Sequence, residues 1–384
     1  MSAMTRRAFL GMAGVAGAAF WLGLPGTAHA GVTRETRAML GTFVDVSVSG
    51  VSSMQATEAL ERAFAEAARL EKVFSRYDGG TPVSELNRAG TLRDCPEELS
   101  RLIHRSLFYA ALTGGSFDIT VQPVVDLFRA RRNPQGRLRL DEADLRAARE
   151  LVGFKGVTVS EGRLSLARSG MGVTLDGIAK GHIADRMSAV LTACGVGNHL
   201  VNAGGDIASR GVKAPGTPWR VAVQSPSDRA AYCGTLALSG GAVATSGGYE
   251  IYYDASRRHH HLVAPASGAS PALGSVSVTA ASAMEADALA TAFSVLPPSE
   301  ACLLYTSSVA GPACSSARPG SARARSAATP NSPCTNAAAP SISIPASNAG
   351  CAATSASPGG LCFSTSASPS ASSPRWTGRR GLWS

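Results

Sequence analysis

The sequence predicts an α+β protein: a mostly antiparallel sheet with helices packed on it. Three long stretches space their apolar residues three and four apart, the period of an amphipathic helix. Between and after them lie short β-rich runs separated by Gly-rich turns, the pattern of hairpins.

The first run after residue 30 is LGTFVDVSVSG (40–50). Thr42, Val44, Val46 and Val48 fall on one face of a strand and Phe43, Asp45 and Ser47 on the other. MQATEALERAFAEAARLEKVFSRYD (54–78) follows, with Leu60, Phe64, Ala67, Leu70 and Phe74 forming one helical stripe. DEADLRAARELVG (141–153) opens on an acidic N-cap candidate and closes on glycine, a second helix. GIAKGHIADRMSAVLTACGVG (177–197) is the third, with Ile183, Met187, Val190, Leu191 and Cys194 on one side. The β-rich runs are HLVNAGGDIASRG, WRVAVQS, CGTLALSGGAVATSG, YEIYYD, HHLVAP and GSVSVTA. No internal repeat is visible.

Composition bounds the function. The chain has 384 residues and a formal charge of +9. From Ala301 to Ser384 there is no Asp, Glu or Lys, and the six arginines there (318, 323, 325, 375, 379, 380) supply +6 of that charge. The rest is nearly balanced and has no basic run interleaved with aromatics, which argues against a nucleic-acid partner. The eight cysteines form no CxxC pair and no zinc spacing.

The opening segment, MTRRAFLGMAGVAGAAFWLGLPGTAHAG, has Arg6 and Arg7, an apolar run from Ala8 to Leu24 and a small-residue site ending at Ala30. This is the layout of a signal peptide over 1–30, of the twin-arginine type. A periplasmic or other extracytoplasmic location follows as the expectation, with membrane contact only transient; no cysteine at the cleavage site offers a lipid anchor. Residues 31–298 are then the folded body, and 299–384, dominated by Ser, Ala, Pro and Gly, read as a low-complexity tail. Its bias fits a disordered extension or an off-frame reading of GC-rich DNA.

Several polar clusters sit beside glycines: TGGSFDIT (113–120), VTLDGIAKGH (173–182), NAGGDIASRG (202–211) and ATSGGYE (244–250). Turn chemistry alone accounts for such residues. The strand-to-helix passage at 173–182, with Lys180 at the helix start, also suits a phosphate, although it lacks the spacing of a P-loop. RRHHHLVAP (257–265) places His259 and His261 on one face if it is a strand, for a metal or for a general base. Asp287 and Thr291, one helical turn apart, are hard oxygen ligands suited to Mg²⁺. An acid favoured by the helix dipole and an incidental Thr explain them equally.

In chain order, MLGTFVDV, FSRYDGGTPVSELNRAG, GGSFDITVQPVVDL, TLDGIAKGHIADR, NAGGDIASRG, ATSGGYE, HHLVAPASG and ADALATAFSVL resemble one family, the FAD:protein FMN transferases or ApbE family, from about Met39 to Leu296. The wording VQP and LDGIAKGHIADR is most similar to its twin-arginine-exported branch. The resemblance implies a T-fold-like α+β core and Mg²⁺-dependent transfer of FMN from FAD to a Ser or Thr hydroxyl of an acceptor protein of electron-transfer type, releasing AMP. It assigns Met39, Tyr77, Ser116, Phe117, Asp118, Thr174, Lys180 and Leu262 to FAD. It assigns Asp287, Thr291 and the Gly177 carbonyl to Mg²⁺, and His261 to the base. The chain departs from the family pattern where Thr174 and Ala264 stand for acids, and beyond Leu296, where a short helix and a closing hairpin are expected. The departures leave a second reading, a non-catalytic FAD-binding accessory protein for the maturation of a redox enzyme.

Overall fold

The computed structural model describes residues 31–132, 138–160, 162–226, 228, 230–272, 274–309 and 361–364. The expected signal segment and most of the tail lie outside them. Among the described residues no helix is long and apolar enough to cross a membrane.

Strict alternation builds the first hairpin. β1 (Val32–Met39) pairs antiparallel with β2 (Thr42–Ser49), and Val44, Val46 and Val48 of β2 are fully buried. α1 (Ser53–Phe74) follows, its Ser52 cap accepting a hydrogen bond from Gln55 N. The predicted stripe of Leu60, Phe64, Ala67, Leu70 and Phe74 is its buried face. α2 (Pro82–Ala89), capped by Thr81, leads through β3 (Thr91–Leu92) to α3 (Glu97–Leu112). α4 (Gln122–Arg131) and the surface helix α5 (Glu142–Glu150) come next; the Asp141 side chain caps α5 as its sequence signalled. β4 (Val157–Ser160) and β5 (Arg163–Leu166) join β3 in a small sheet of order β3-β5-β4. α6 (Ala179–Ala193) is the third predicted helix; Ile183, Met187 and Leu191 are buried.

The main sheet, counted over the described residues, has seven antiparallel strands in the order β1-β2-β6-β7-β10-β11-β12. Its later members are β6 (Asn198–Ala203), β7 (Asp206–Arg210), β10 (Gly240–Gly247), β11 (Ser275–Ala280) and β12 (Leu361–Ser364). A two-stranded ribbon, β8 (Trp219–Gln224) with β9 (Tyr232–Leu238), packs Trp219, Val221 and Leu238 on Leu200, Ile207 and Val243 of the sheet. On the opposite face, α1, α6 and α7 (Ala283–Ser294) share one large apolar core with the inward residues of β2 and β11.

Two runs expected as strands are not. YEIYYD and HHLVAP fold back on each other as an irregular loop with a single bridge, Tyr252 to His260. Side chains take over the backbone's partners here. His259 N donates to Asp254 Oδ1 and His260 N to Ser270 Oγ, so a regular ladder does not propagate.

The fold also continues past the expected boundary at residue 298. α8 (Pro298–Val309) buries Ala301 against the main core, with Cys302 and Leu304 packed beside it. Within the low-complexity stretch, β12 (Leu361–Ser364) pairs antiparallel with β11, Ser275 opposite Ser364.

Candidate functional site

The N-terminal turns of α6 and α7 meet head to head. Gly181 permits this: a Cβ there would collide with the Ala283 carbonyl and come within 2.8 Å of Asp287 Cβ. Asp185 of α6 fixes the approach, accepting from Ala283 N (2.8 Å) and Met284 N (2.9 Å) at the start of α7. We expect Gly181→Ala to cost about 3 kcal/mol or more, because two backbones rather than flexible side chains would have to part; a thermal melt checks it.

The sequence-singled groups converge at this junction. Lys180 Nζ donates to Asp206 Oδ2 at 2.6 Å. Asp287, 3% exposed, accepts from Gly181 N at 3.0 Å through Oδ2. Gly177 lies against Thr291, whose Oγ1 is 2.8 Å from where a Gly177 Cβ would stand. Thr291 Oγ1 is also 3.3 Å from Ser246 Oγ of β10, a hydroxyl of the Gly-rich ATSGGYE stretch to which the sequence assigns no role.

The charges do not balance. Burial and the charges of Asp206 and Asp176 hold Asp287 well above the ordinary carboxylate range, although Lys180 and the Gly181 amide pull it down. Burial raises Asp206 too, against the attraction of Lys180. Lys180 is lowered by burial but driven up overall by Asp206, Asp287 and Glu250. Two buried carboxylates thus share one ammonium, which favours a proton on Asp287, and a further cation would favour its ionised form.

No group of three or more His, Cys, Asp or Glu able to hold a metal exists among the described residues. The donors here are of another kind: one carboxylate, two hydroxyls and the main chain at Gly177. Hard oxygens with a single charge suit Mg²⁺ completed by phosphate oxygens and water. The residues fit that ion.

The remaining predicted contacts lie on neighbouring turns. Met39 ends β1 beside a hairpin tip whose Thr42 packs on Gly204, in the turn that presents Asp206. Gly204 and Gly205 adopt φ of +70° and +107°, so that turn requires glycine. Tyr77 is 59% exposed, and its hydroxyl donates to Asp176 Oδ2 at 2.7 Å. Thr174 N donates to Ile119 O at 2.7 Å, joining the 116–120 stretch to the turn before α6. Thr174 Oγ1 accepts from Asp176 N at 3.3 Å.

Two assigned residues serve the scaffold. Phe117 is buried in the main core. Asp118 accepts from Thr120 N, Thr120 Oγ1 and Phe154 N, which uses both carboxylate oxygens. Half-buried Ser116 precedes them.

The three histidines separate. His259 lies near Asp254, 3.4 Å away, and edge-on to Phe128. His260 is buried and bonds the Pro271 carbonyl through Nε2 at 2.8 Å. His261 has a buried Nδ1 with no partner. Burial, reinforced by the charges of His260 and Lys180, pushes its pKa down to about 4. Leu262 beside it is buried.

A half-buried ammonium among hard oxygen donors, at the start of a helix, is an arrangement suited to binding phosphate on an α+β scaffold. Comparison with known proteins narrows this class. The chain belongs to the ApbE family, whose sequence model matches residues 40–311. It is 32% identical over 272 residues to a Klebsiella pneumoniae protein named FAD:protein FMN transferase, covering 68% of this chain and 78% of that one. A protein of the same name from Escherichia coli K12 is 29% identical over the same shares. Among solved structures, the apo flavinyl transferase ApbE of Pseudomonas stutzeri is 28% identical with a TM-score of 0.62, covering 72% of this chain and 88% of that one. The ApbE protein of Thermotoga maritima, also 28% identical, has a TM-score of 0.66 and coverage of 72% and 92%.

Proposed function

We propose that this chain transfers the FMN half of FAD to a Ser or Thr hydroxyl of an exported acceptor protein, with Mg²⁺, releasing AMP. The observation that carries the proposal is the junction of α6 and α7, where Lys180 pairs with buried Asp206 and its charge acts on buried Asp287, with Gly177 packed on Thr291. The name carried by the relatives supports it.

The chemistry is a displacement at phosphorus. The acceptor Oγ forms a bond to the phosphorus of the FMN half, the bond from that phosphorus to the AMP oxygen breaks, and the hydroxyl proton leaves to a base. Asp287, Thr291 and the Gly177 carbonyl would hold Mg²⁺, which when bound neutralises pyrophosphate charge. Lys180 supplies a fixed positive charge, kept in place by Asp206. His261 is neutral at pH 7 and so able to accept the proton.

Replacing His261 by Ala should lower transfer about 10²- to 10⁴-fold while FAD binding persists. With its pKa near 4, His261 stays unprotonated on acidification well past the ordinary histidine range. Wild-type activity at saturating Mg²⁺ should therefore be flat from pH 8 down to about 5.5; a stopped assay across pH shows whether an acid limb near 6.5 exists instead.

One observation favours the accessory reading. Ala264 stands where the family pattern has an acid, yet the turn closes without one: Ser267 N and Gly268 N donate to Ala264 O, and Ala264 N to Ala269 O. Backbone bonds hold the turn, and the acid's chemistry is missing from it. Mixing the protein with FAD, Mg²⁺ and a candidate acceptor domain decides the matter. A fluorescent covalent flavin band on a denaturing gel supports transfer; bound FAD with no band supports the accessory role. Export rests on the Arg6–Arg7 signal pattern, and cell fractionation tests it.

A further inference from the structure

We infer that Arg76 is a positioning residue for FAD, holding the exposed Tyr77 ring and the turn that carries Thr174 and Gly177 in one arrangement. The inference rests on the functional reading above. The Arg76 side chain is only 4% exposed, although it stands one residue before a largely exposed tyrosine. Nη1 donates to Asp126 Oδ1 of α4 at 2.8 Å, and Nε reaches Asp176 Oδ2 at 3.4 Å. That same Asp176 oxygen accepts the Tyr77 hydroxyl, and the Arg76 guanidinium lies 4.8 Å from the Tyr77 ring centroid. Arg129 of α4 lies 5.1 Å from the same ring.

Asp176 sits between Thr174 and Gly177, so whatever fixes its carboxylate fixes the turn. The Asp126 end is anchored in turn. Gln122 Nε2 donates to Asp126, Asn87 Nδ2 donates to Gln122, and the Asn87 amide pairs with both N and O of Val173. The turn is therefore held at Val173 from α2 and at Asp176 by Arg76. Through Nη1 and Nε the guanidinium bridges two carboxylates on separate elements, which the single ammonium of a lysine does less well.

The test compares Arg76→Ala, Arg76→Lys, Tyr77→Phe and the double variant Arg76→Ala/Tyr77→Phe in the purified protein. FAD affinity is read by flavin fluorescence, and amide exchange of ligand-free protein by mass spectrometry. Arg76→Ala should weaken FAD binding about tenfold, with partial recovery in Arg76→Lys. The double variant should lose less than the product of the single losses, because both act through Asp176. Exchange should quicken several-fold over 75–78 and 173–178 and stay unchanged over β6. Unchanged exchange at the turn, uniform quickening across the chain, or strictly multiplicative losses would overturn the inference. A wild-type protein that binds no FAD overturns the functional reading instead, and the exchange pattern still decides whether Arg76 holds the turn.

Discussion

Replacing Asp287 by Ala abolishes flavin transfer, by roughly a thousandfold or more, while leaving the fold intact. The loss follows from removing the carboxylate of the proposed oxygen-donor set of Asp287, Thr291 and the Gly177 carbonyl. The stability follows from what the wild-type carboxylate costs. It is buried beside Asp206, well above the ordinary carboxylate range, and its one hydrogen bond is to Gly181 N. Losing that bond costs about 1 kcal/mol, and relief of the buried charge offsets it. A melting curve within a few degrees of wild type, beside an empty lane in the flavin gel, is the expected pair of results. Normal transfer at modest Mg²⁺ removes Asp287 from the metal site.

Lys180→Met gives the same loss of transfer together with a large loss of stability. Asp206, 2% exposed, has Lys180 as its close cation at 2.6 Å. Taking that cation away leaves two buried carboxylates with no ammonium between them, at a cost of about 3–5 kcal/mol. The cost depends on pH in a defined direction. Asp206 is already held above its ordinary value in the wild type, and loss of Lys180 removes the influence that lowers it. A carboxylate whose folded pKa is raised binds more protons folded than unfolded above about pH 4, so stability falls as pH rises through that range. The variant should be weakest at neutral pH and recover in acid. Adding Asp206→Asn should restore much of the stability at pH 7 and none of the activity. Urea titrations at two pH values check both statements.

Local periodicity made β2, α1 and α6 legible, since burial of one face is written in the spacing of Val44, Val46 and Val48 or of Leu60, Phe64 and Leu70. Asp287 and Thr291 were legible for the same reason. The histidine run was misread as a strand because Asp254 and Ser270, which capture its amides, lie five and ten residues away from their partners. Asp185 lay inside a quoted motif without being singled out, because its role, accepting the first amides of α7, depends on a residue 98 positions later. Arg76 was hidden likewise, since a single arginine gives no sign that Asp126 and Asp176 will close on it. Low complexity masked β12, because pairing with β11 is a property of the backbone edge rather than of composition.

The head-to-head packing of α6 and α7 also bears on the order of events in folding. Gly181 meets Asp287 across 106 residues, and Asp185 meets Ala283 across 98. Such contacts form only after a long loop has closed and the intervening strands are in register, which makes them slow and late. The oxygen donors therefore do not exist as a set in any partly folded chain. Nucleotide or cation binding reports completion of the fold, and a ligand present during refolding should slow unfolding without hastening the approach to the native state.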